Sequence, residues 1–214
     1  MTGADRELLK KLEELYAQGK TGEVGRAVAQ ELEQNPASSV AYFWKGRLAE
    51  AQNDFSSAIY SYDKAIYLSG DTAVFYAYLA QALDRKQGFD LMSGGALTRD
   101  EKIVQKILAA WRKAIELTTD NAVYKACLAD YLAGQKKISE ALPLIESAYQ
   151  EDPGNEQIKI TWVRIHLKLG CTFAGESPVN PEEGLKHLSL VLREIPHHID
   201  ANLFAGICCK KLKR

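Results

Sequence analysis

The chain has 214 residues, 46% of them apolar and 26% charged, with a net charge of −1. That is enough length for a sizeable core and an ordinary globular composition, with no charge excess to favour nucleic acid or an anionic membrane as a general partner. No apolar run reaches the roughly 18 residues of a membrane span, and the N-terminal stretch, charged from Asp5 onward, lacks the form of a signal peptide. The four cysteines, Cys127, Cys171, Cys208 and Cys209, suggest no disulfide framework. They point to a reducing compartment, so the expected location is cytoplasmic; the alternative is a soluble domain of a membrane-anchored or periplasmic protein.

Apolar residues recur at three- and four-residue spacing along nearly the whole chain, and alternating strand patterns are absent. The predicted helices are short and paired. The second helix of each pair ends at "LEQNP" (Pro36), "IYLSG" (Gly70), "IELTT" (Thr119), "AYQEDP" (Pro153) and "VLREIP" (Pro196), in steps of 34, 49, 34 and 43 residues. A 34-residue repeat with insertions of 15 and 9 residues accounts for the set.

In chain order, the repeats fall at approximately 5–38, 39–72, 73–121, 122–155 and 156–198, with a last helix over 199–214. The second carries Tyr42, Gly46 and Ala49, then Ala58-x3-Tyr62-x2-Ala65. Gly46 and Ala58 are expected to let the two helices of the pair approach closely, and Ala65 to let the next pair stack. Tyr42, Phe55 and Tyr62 would fill the gaps between. The third holds the insertion "RKQGFDLMSGGALTRDEKIVQ", in which Gly88, Gly94 and Gly95 are expected to break the helix. Thr98 and Glu101 then read as a capping box that opens a lengthened second helix from about Arg99 to Leu117. The intervening loop would hold Phe89, Leu91 and Met92, either folded back onto the array or serving as candidate contacts for a partner.

The fourth repeat has Leu128-Ala129-x2-Leu132, Ala141-x3-Ile145-x2-Ala148 and Pro153. The fifth contains "LGCTFAGESPVNPEEGLKHL", where Gly170, Gly175, Pro178 and Pro181 predict a loop and Asn180, Pro181 and Glu183 restart a helix. The final "DANLFAGICCKKLKR" looks like the first helix of a sixth repeat, with Gly206 in the small-residue slot.

These residues resemble the tetratricopeptide repeat (TPR) family, whose motif is W-x2-L-G-x2-Y…A-x3-F…P. The first repeat departs from it, with Val24 and Gly25 where the family has alanine and a large aliphatic. The resemblance implies an all-α fold: a right-handed TPR-type α-solenoid of antiparallel helix pairs, about five repeats plus a C-terminal capping helix, forming one domain over 1–214. It also implies a non-catalytic scaffold or adaptor that binds a peptide or protein segment along the first helices of successive pairs. Counted onto that face, the groove residues are Phe43, Arg47 and Glu50; Ala77, Gln81 and Asp84; Ala126 and Asp130; and Ile160, Arg164 and Leu167. The lysines and asparagines with which co-chaperone members hold a C-terminal carboxylate are absent: Leu9, Glu13, Trp44, Val74 and Tyr78 stand there in one register.

A narrower similarity, from "AVFYAYLAQAL" to "SAYQEDP", is to the repeat domain of bacterial cytochrome c maturation factors, which implies presentation of a client protein. Self-assembly into a structural scaffold is the second alternative, and homo-oligomers stay open.

No catalytic pattern emerges. "SGG" at 93–95 lacks the rest of a phosphate loop, and there is no His-Glu-x-x-His, CxxC or Gly-x-Ser-x-Gly. His197 and His198 with Cys208 and Cys209 fit no standard metal spacing. His166 and His187 are isolated in the sequence. The expectation is therefore no enzyme, no catalytic residue, no metal and no cofactor. The expected partner is another protein or a peptide, with no nucleic acid and no direct membrane insertion.

Overall fold

The computed structural model describes residues 3–93, 99–175 and 179–213, and among these it contains eleven α-helices and no strand. Whereas the sequence reading takes 1–214 as one solenoid, the contacts divide into two compact units, Met1–Thr119 and Asp120–Arg214.

The N-terminal unit holds three helix pairs: α1 (Gly3–Ala17) with α2 (Thr21–Gln34), α3 (Ser39–Ala51) with α4 (Phe55–Leu68), and α5 (Ala73–Met92) with α6 (Glu101–Glu116). Each helix packs on its partner, α2 and α4 pack on the following pair, and α1 also touches α3. The C-terminal unit holds α7 (Ala122–Gly134) with α8 (Ile138–Glu151), α9 (Glu156–Gly175) with α10 (Pro181–Glu194), and α11 (Ile199–Lys211), with α9 against both α7 and α11. Side-chain caps set several helix starts: Ser38, Asp54, Asn180 and His198 accept from Ala41, Ser57, Glu183 and Ala201 backbone N–H groups respectively. Pro181 stands at the first turn of α10, where its missing donor costs nothing.

A left-handed residue closes the turn after the first helix of most pairs. Gly19, Asn53, Lys136 and Lys213 have φ of 74°, 60°, 62° and 55°. Their separations are 34, 83 and 77 residues, the last two being one plain repeat together with one carrying an insertion. Lys213 after α11 thus occupies the same place as Asn53 after α3. In the two pairs with insertions, the equivalent residues are Gln87 and Gly170, and both are helical. There the helix does not turn but continues, so α5 and α9 each run 20 residues against 13 for α3 and α7.

This corrects the reading of the first insertion. Gly88 does not break the helix, and Phe89, Leu91 and Met92 lie on the last turns of α5 rather than in a loop. A glycine inside a helix costs only about 1 kcal/mol relative to alanine, which packing readily overrides. Gln87, 5% exposed, ties the extension down by donating through Nε2 to the Asp100 carbonyl at 2.9 Å. The cap of α6 is Asp100, whose carboxylate accepts from Lys102 N at 2.8 Å. Gly94, Gly95 and Thr98, and Pro178 in the second insertion, lie outside the described residues.

Gly170 likewise sits within α9, and its role is contact. A Cβ there would lie 2.5 Å from Leu188 Cγ of α10. Gly184 of α10 repeats the device: its Cβ would meet Cys208 Sγ of α11 at 3.0 Å and the Gly170 carbonyl at 3.2 Å. In the N-terminal unit a Cβ on Gly46 would stand 2.5 Å from Tyr62 Cε1. Gly46 therefore seats the Tyr62 ring of its partner helix, while Ala58 and Ala65 are fully buried. Gly206 differs: it is exposed, with no atom near its missing Cβ. Cys208 is a buried free thiol of the core.

Candidate functional site

In the N-terminal unit α1, α3 and α5 line a depression of about 280 Å³, which includes Tyr16, Arg47, Glu50, Tyr78, Gln81 and Arg85. Arg47 dominates it. Its guanidinium lies 4.7 Å from the Tyr16 ring centroid, 4.6 Å from Trp44 and 4.8 Å from Tyr78, within cation–π range of all three. Glu50, one helical turn on, is almost buried. The Tyr62 hydroxyl donates to its Oε2 at 2.6 Å and Arg85 Nη1 to its Oε1 at 3.1 Å. Burial first, and then the Glu50 charge, push the Tyr62 phenol far up, so it stays a neutral donor.

The other expected groove residues of this unit separate by burial. Phe43 is 1% exposed and belongs to the core, with rings of Trp44, Tyr62, Phe75 and Tyr78 within 6.0 Å. Those four rings draw the aromatic side chain beneath the surface, whereas Arg47, one turn on, keeps its charged head at the opening. Ala77 is also buried, Gln81 opens on the depression, and Asp84 is held by Arg99 Nη1 at 2.7 Å. Phe89 and Met92 are exposed on α5, the Phe89 ring 6.1 Å from Phe55, and Leu91 is half-buried.

The C-terminal unit has a more apolar depression of about 480 Å³, lined by α9 and the residues that enter α11: Ile160, Val163, Arg164, Leu167, Ile195 and His198. Ile160 is 53% and Ile195 39% exposed. At its borders Arg164 pairs with Asp130 of α7, and Lys159 pairs with Glu194 at 2.5 Å. Ala126 is buried. Burial, reinforced by Asp130, pushes the neighbouring Cys127 thiol up to about 11.

Three features escaped the sequence reading. Tyr16 was not counted because the groove count began at the second repeat, although it stands 34 residues before Glu50 and the same step reaches it. Val163, Ile195 and His198 join the second depression only through the α9–α11 packing. His166 and His187, distant in sequence, meet in the core with Nδ1 atoms 2.9 Å apart, and His166 Nε2 lies 3.0 Å from Glu146 Oε1 of α8. Two facing nitrogens share one proton, so the pair cannot carry two charges. Among the described residues no group of three or more His, Cys, Asp or Glu is arranged to hold a metal, and no helix is long and apolar enough to cross a membrane.

A scan of protein-family models and a search of curated proteins find no match. Solved structures do match. YrrB, a TPR protein with an unusual peptide-binding site, is 19% identical over 87% of this chain and 84% of its own, with a TM-score of 0.61. TTC0263, a thermophilic TPR protein in Thermus thermophilus, is 16% identical over 95% and 98%, with a TM-score of 0.61. PilW, a type IV pilus biogenesis factor, is 11% identical over 100% and 88%, again at 0.61. The chain has the tetratricopeptide-repeat fold.

Proposed function

We propose that the chain is a non-catalytic protein-binding module that takes a peptide or protein segment on the first helices of its pairs. The observation that carries this reading is that the two depressions described above lie on first helices: α1, α3 and α5 in one unit, α9 and the entry to α11 in the other. Charged and aromatic groups in one depression and an apolar floor bordered by charges in the other suit a segment of mixed character. The neighbour YrrB, with its peptide-binding site, supports the same use of the fold.

The test is recovery of a partner on immobilised protein, followed by three variants. Ile160→Asp and Arg47→Gln should each reduce retention of that partner. Tyr67→Asp, at a residue 80% exposed on the second helix α4, should not. Equal retention by all three refutes the assignment, provided their circular dichroism and Tm match wild type. Self-association is a second reading, favoured by α11, where Ile199 is 81% and Leu203 59% exposed and Gly206 lacks the neighbour that Gly46 has. Light scattering of the pure protein that stays constant with concentration would exclude it.

A further inference from the structure

We infer that the depression around Arg47 is a subsite for the side-chain carboxylate of an aspartate or glutamate within a bound segment. The inference rests on the binding reading above and names what that unit selects.

Charge is the first argument. The depression contains two guanidinium groups, Arg47 and Arg85, but one carboxylate, Glu50. Both Glu50 oxygens are engaged, one by the Tyr62 hydroxyl and the other by Arg85. Among the described residues no carboxylate lies within ion-pair distance of Arg47; what surrounds its guanidinium is three aromatic rings. Rings attract a cation but cannot accept its five N–H groups as a carboxylate does, so the strongest hydrogen-bonding capacity in the depression is uncommitted.

Pre-organisation is the second. An arginine side chain ordinarily loses substantial rotamer freedom when it grips an anion. Here Tyr16, Trp44 and Tyr78, drawn from three helices, already hold the guanidinium, and Trp44 is fully buried. Arg85 is fixed by Glu50 at the same rim.

Shape is the third. A volume of about 280 Å³ admits one side chain rather than a folded element, and Tyr16 and Tyr78 offer flat walls for its methylenes. With two guanidinium groups against one carboxylate in its lining, the depression is a local positive spot of one excess charge, matched to a single carboxylate.

The experiment uses an array of twelve-residue peptides, acetylated and amidated so that no terminal charge is present, probed with the full chain. Binders are then measured in solution by fluorescence anisotropy as matched pairs with Glu or Asp against Gln or Asn. For wild type, loss of the acidic side chain at one position should weaken binding about tenfold, the size of one charge-assisted hydrogen-bonding contact. With Arg47→Gln the two members of each pair should bind alike, and Arg47→Lys should keep part of the preference. Circular dichroism and thermal melts establish that the variants fold.

If blocked peptides bind and compete at Ile160, yet show no acidic preference, the binding reading stands and this inference falls. A preference seen only with free carboxyl termini overturns the side-chain assignment. Displacement by inorganic phosphate at constant ionic strength, without discrimination between Glu and Gln, marks a generic anion site and overturns it as well. If Arg47→Gln keeps the tenfold discrimination, another group reads the acid.

Discussion

Replacing Gly46 with alanine adds one methyl group where α3 meets the Tyr62 ring of α4. The new Cβ would lie 2.5, 2.7 and 3.0 Å from three atoms of the Tyr62 ring. That ring cannot retreat cheaply, because it is fully buried and its hydroxyl is anchored on Glu50 at 2.6 Å. Overpacking of this kind costs about 1–3 kcal/mol, while exchanging glycine for alanine in a helix returns about 1 kcal/mol. The anchored ring puts Gly46→Ala in the upper half of that overpacking range, so a net loss of about 1–2 kcal/mol is expected, read by urea unfolding with far-ultraviolet circular dichroism. The comparison is Gly88→Ala on α5, where a Cβ would meet nothing within 4 Å; only the helix preference acts there, and stability should rise by about 0.5–1 kcal/mol. In a Tyr62→Leu background, itself destabilised by loss of the buried ring and of the hydroxyl bond to Glu50, adding Gly46→Ala should cost much less than it does in wild type, since the shorter side chain vacates the contact. A Gly46→Ala protein as stable as wild type, or equal effects at both glycines, refutes the account of Gly46 as the seat of Tyr62.

Lys136→Gly should stabilise the C-terminal unit by about 1 kcal/mol in the same assay, because lysine pays for a φ of 62° that glycine adopts freely. Acid should weaken that unit through its buried histidines. Burial lowers the pKa of both His166 and His187 below 6.5, with Glu146 partly opposing at His166 and Glu183 and Glu146 at His187, while Lys186 adds to the lowering at His187. Above about pH 6.5 both are neutral whether folded or unfolded, and no dependence arises. As pH falls below that value the unfolded chain takes up protons the folded one refuses, so Tm should drop with further acidification, and His187→Gln should reduce the slope. The Cys127 thiol, moved from 9.0 to about 11, should hold roughly a hundredfold less thiolate at about pH 8 than an ordinary cysteine. Iodoacetamide should accordingly label it far more slowly in the folded protein than in urea, as read by mass spectrometry of the peptide.

The repeat was legible in the sequence because each helix pair obeys local rules. Helical periodicity, small residues at fixed offsets and a 34-residue step are properties of contiguous chain, and from them follow the helix pairing and the two places where extra length enters. The insertions show where local rules stop. Gly88 and Gly170 read as breakers, yet both are helical, since Gly170 is needed for the approach of Leu188 and Gln87 bonds the end of α5 to the start of α6. Whether a glycine ends a helix depends on what packs beside it.

The candidate surface divides in the same way. Arg47 and Ile160 could be counted onto the face of the first helices that the family resemblance implies, whereas Phe43 was placed on that face and is instead core. The cage around Arg47 needs Tyr16, Trp44 and Tyr78 from three helices, and the meeting of His166 with His187 needs α9 and α10 to cross where Gly170 permits. The sequence by itself determined which segments coil and which coils pair, because those depend on near neighbours in the chain. Only the tertiary structure decided which charge is left unmatched and which ring is buried, because an energy of that kind belongs to side chains that distant stretches bring within a few ångströms.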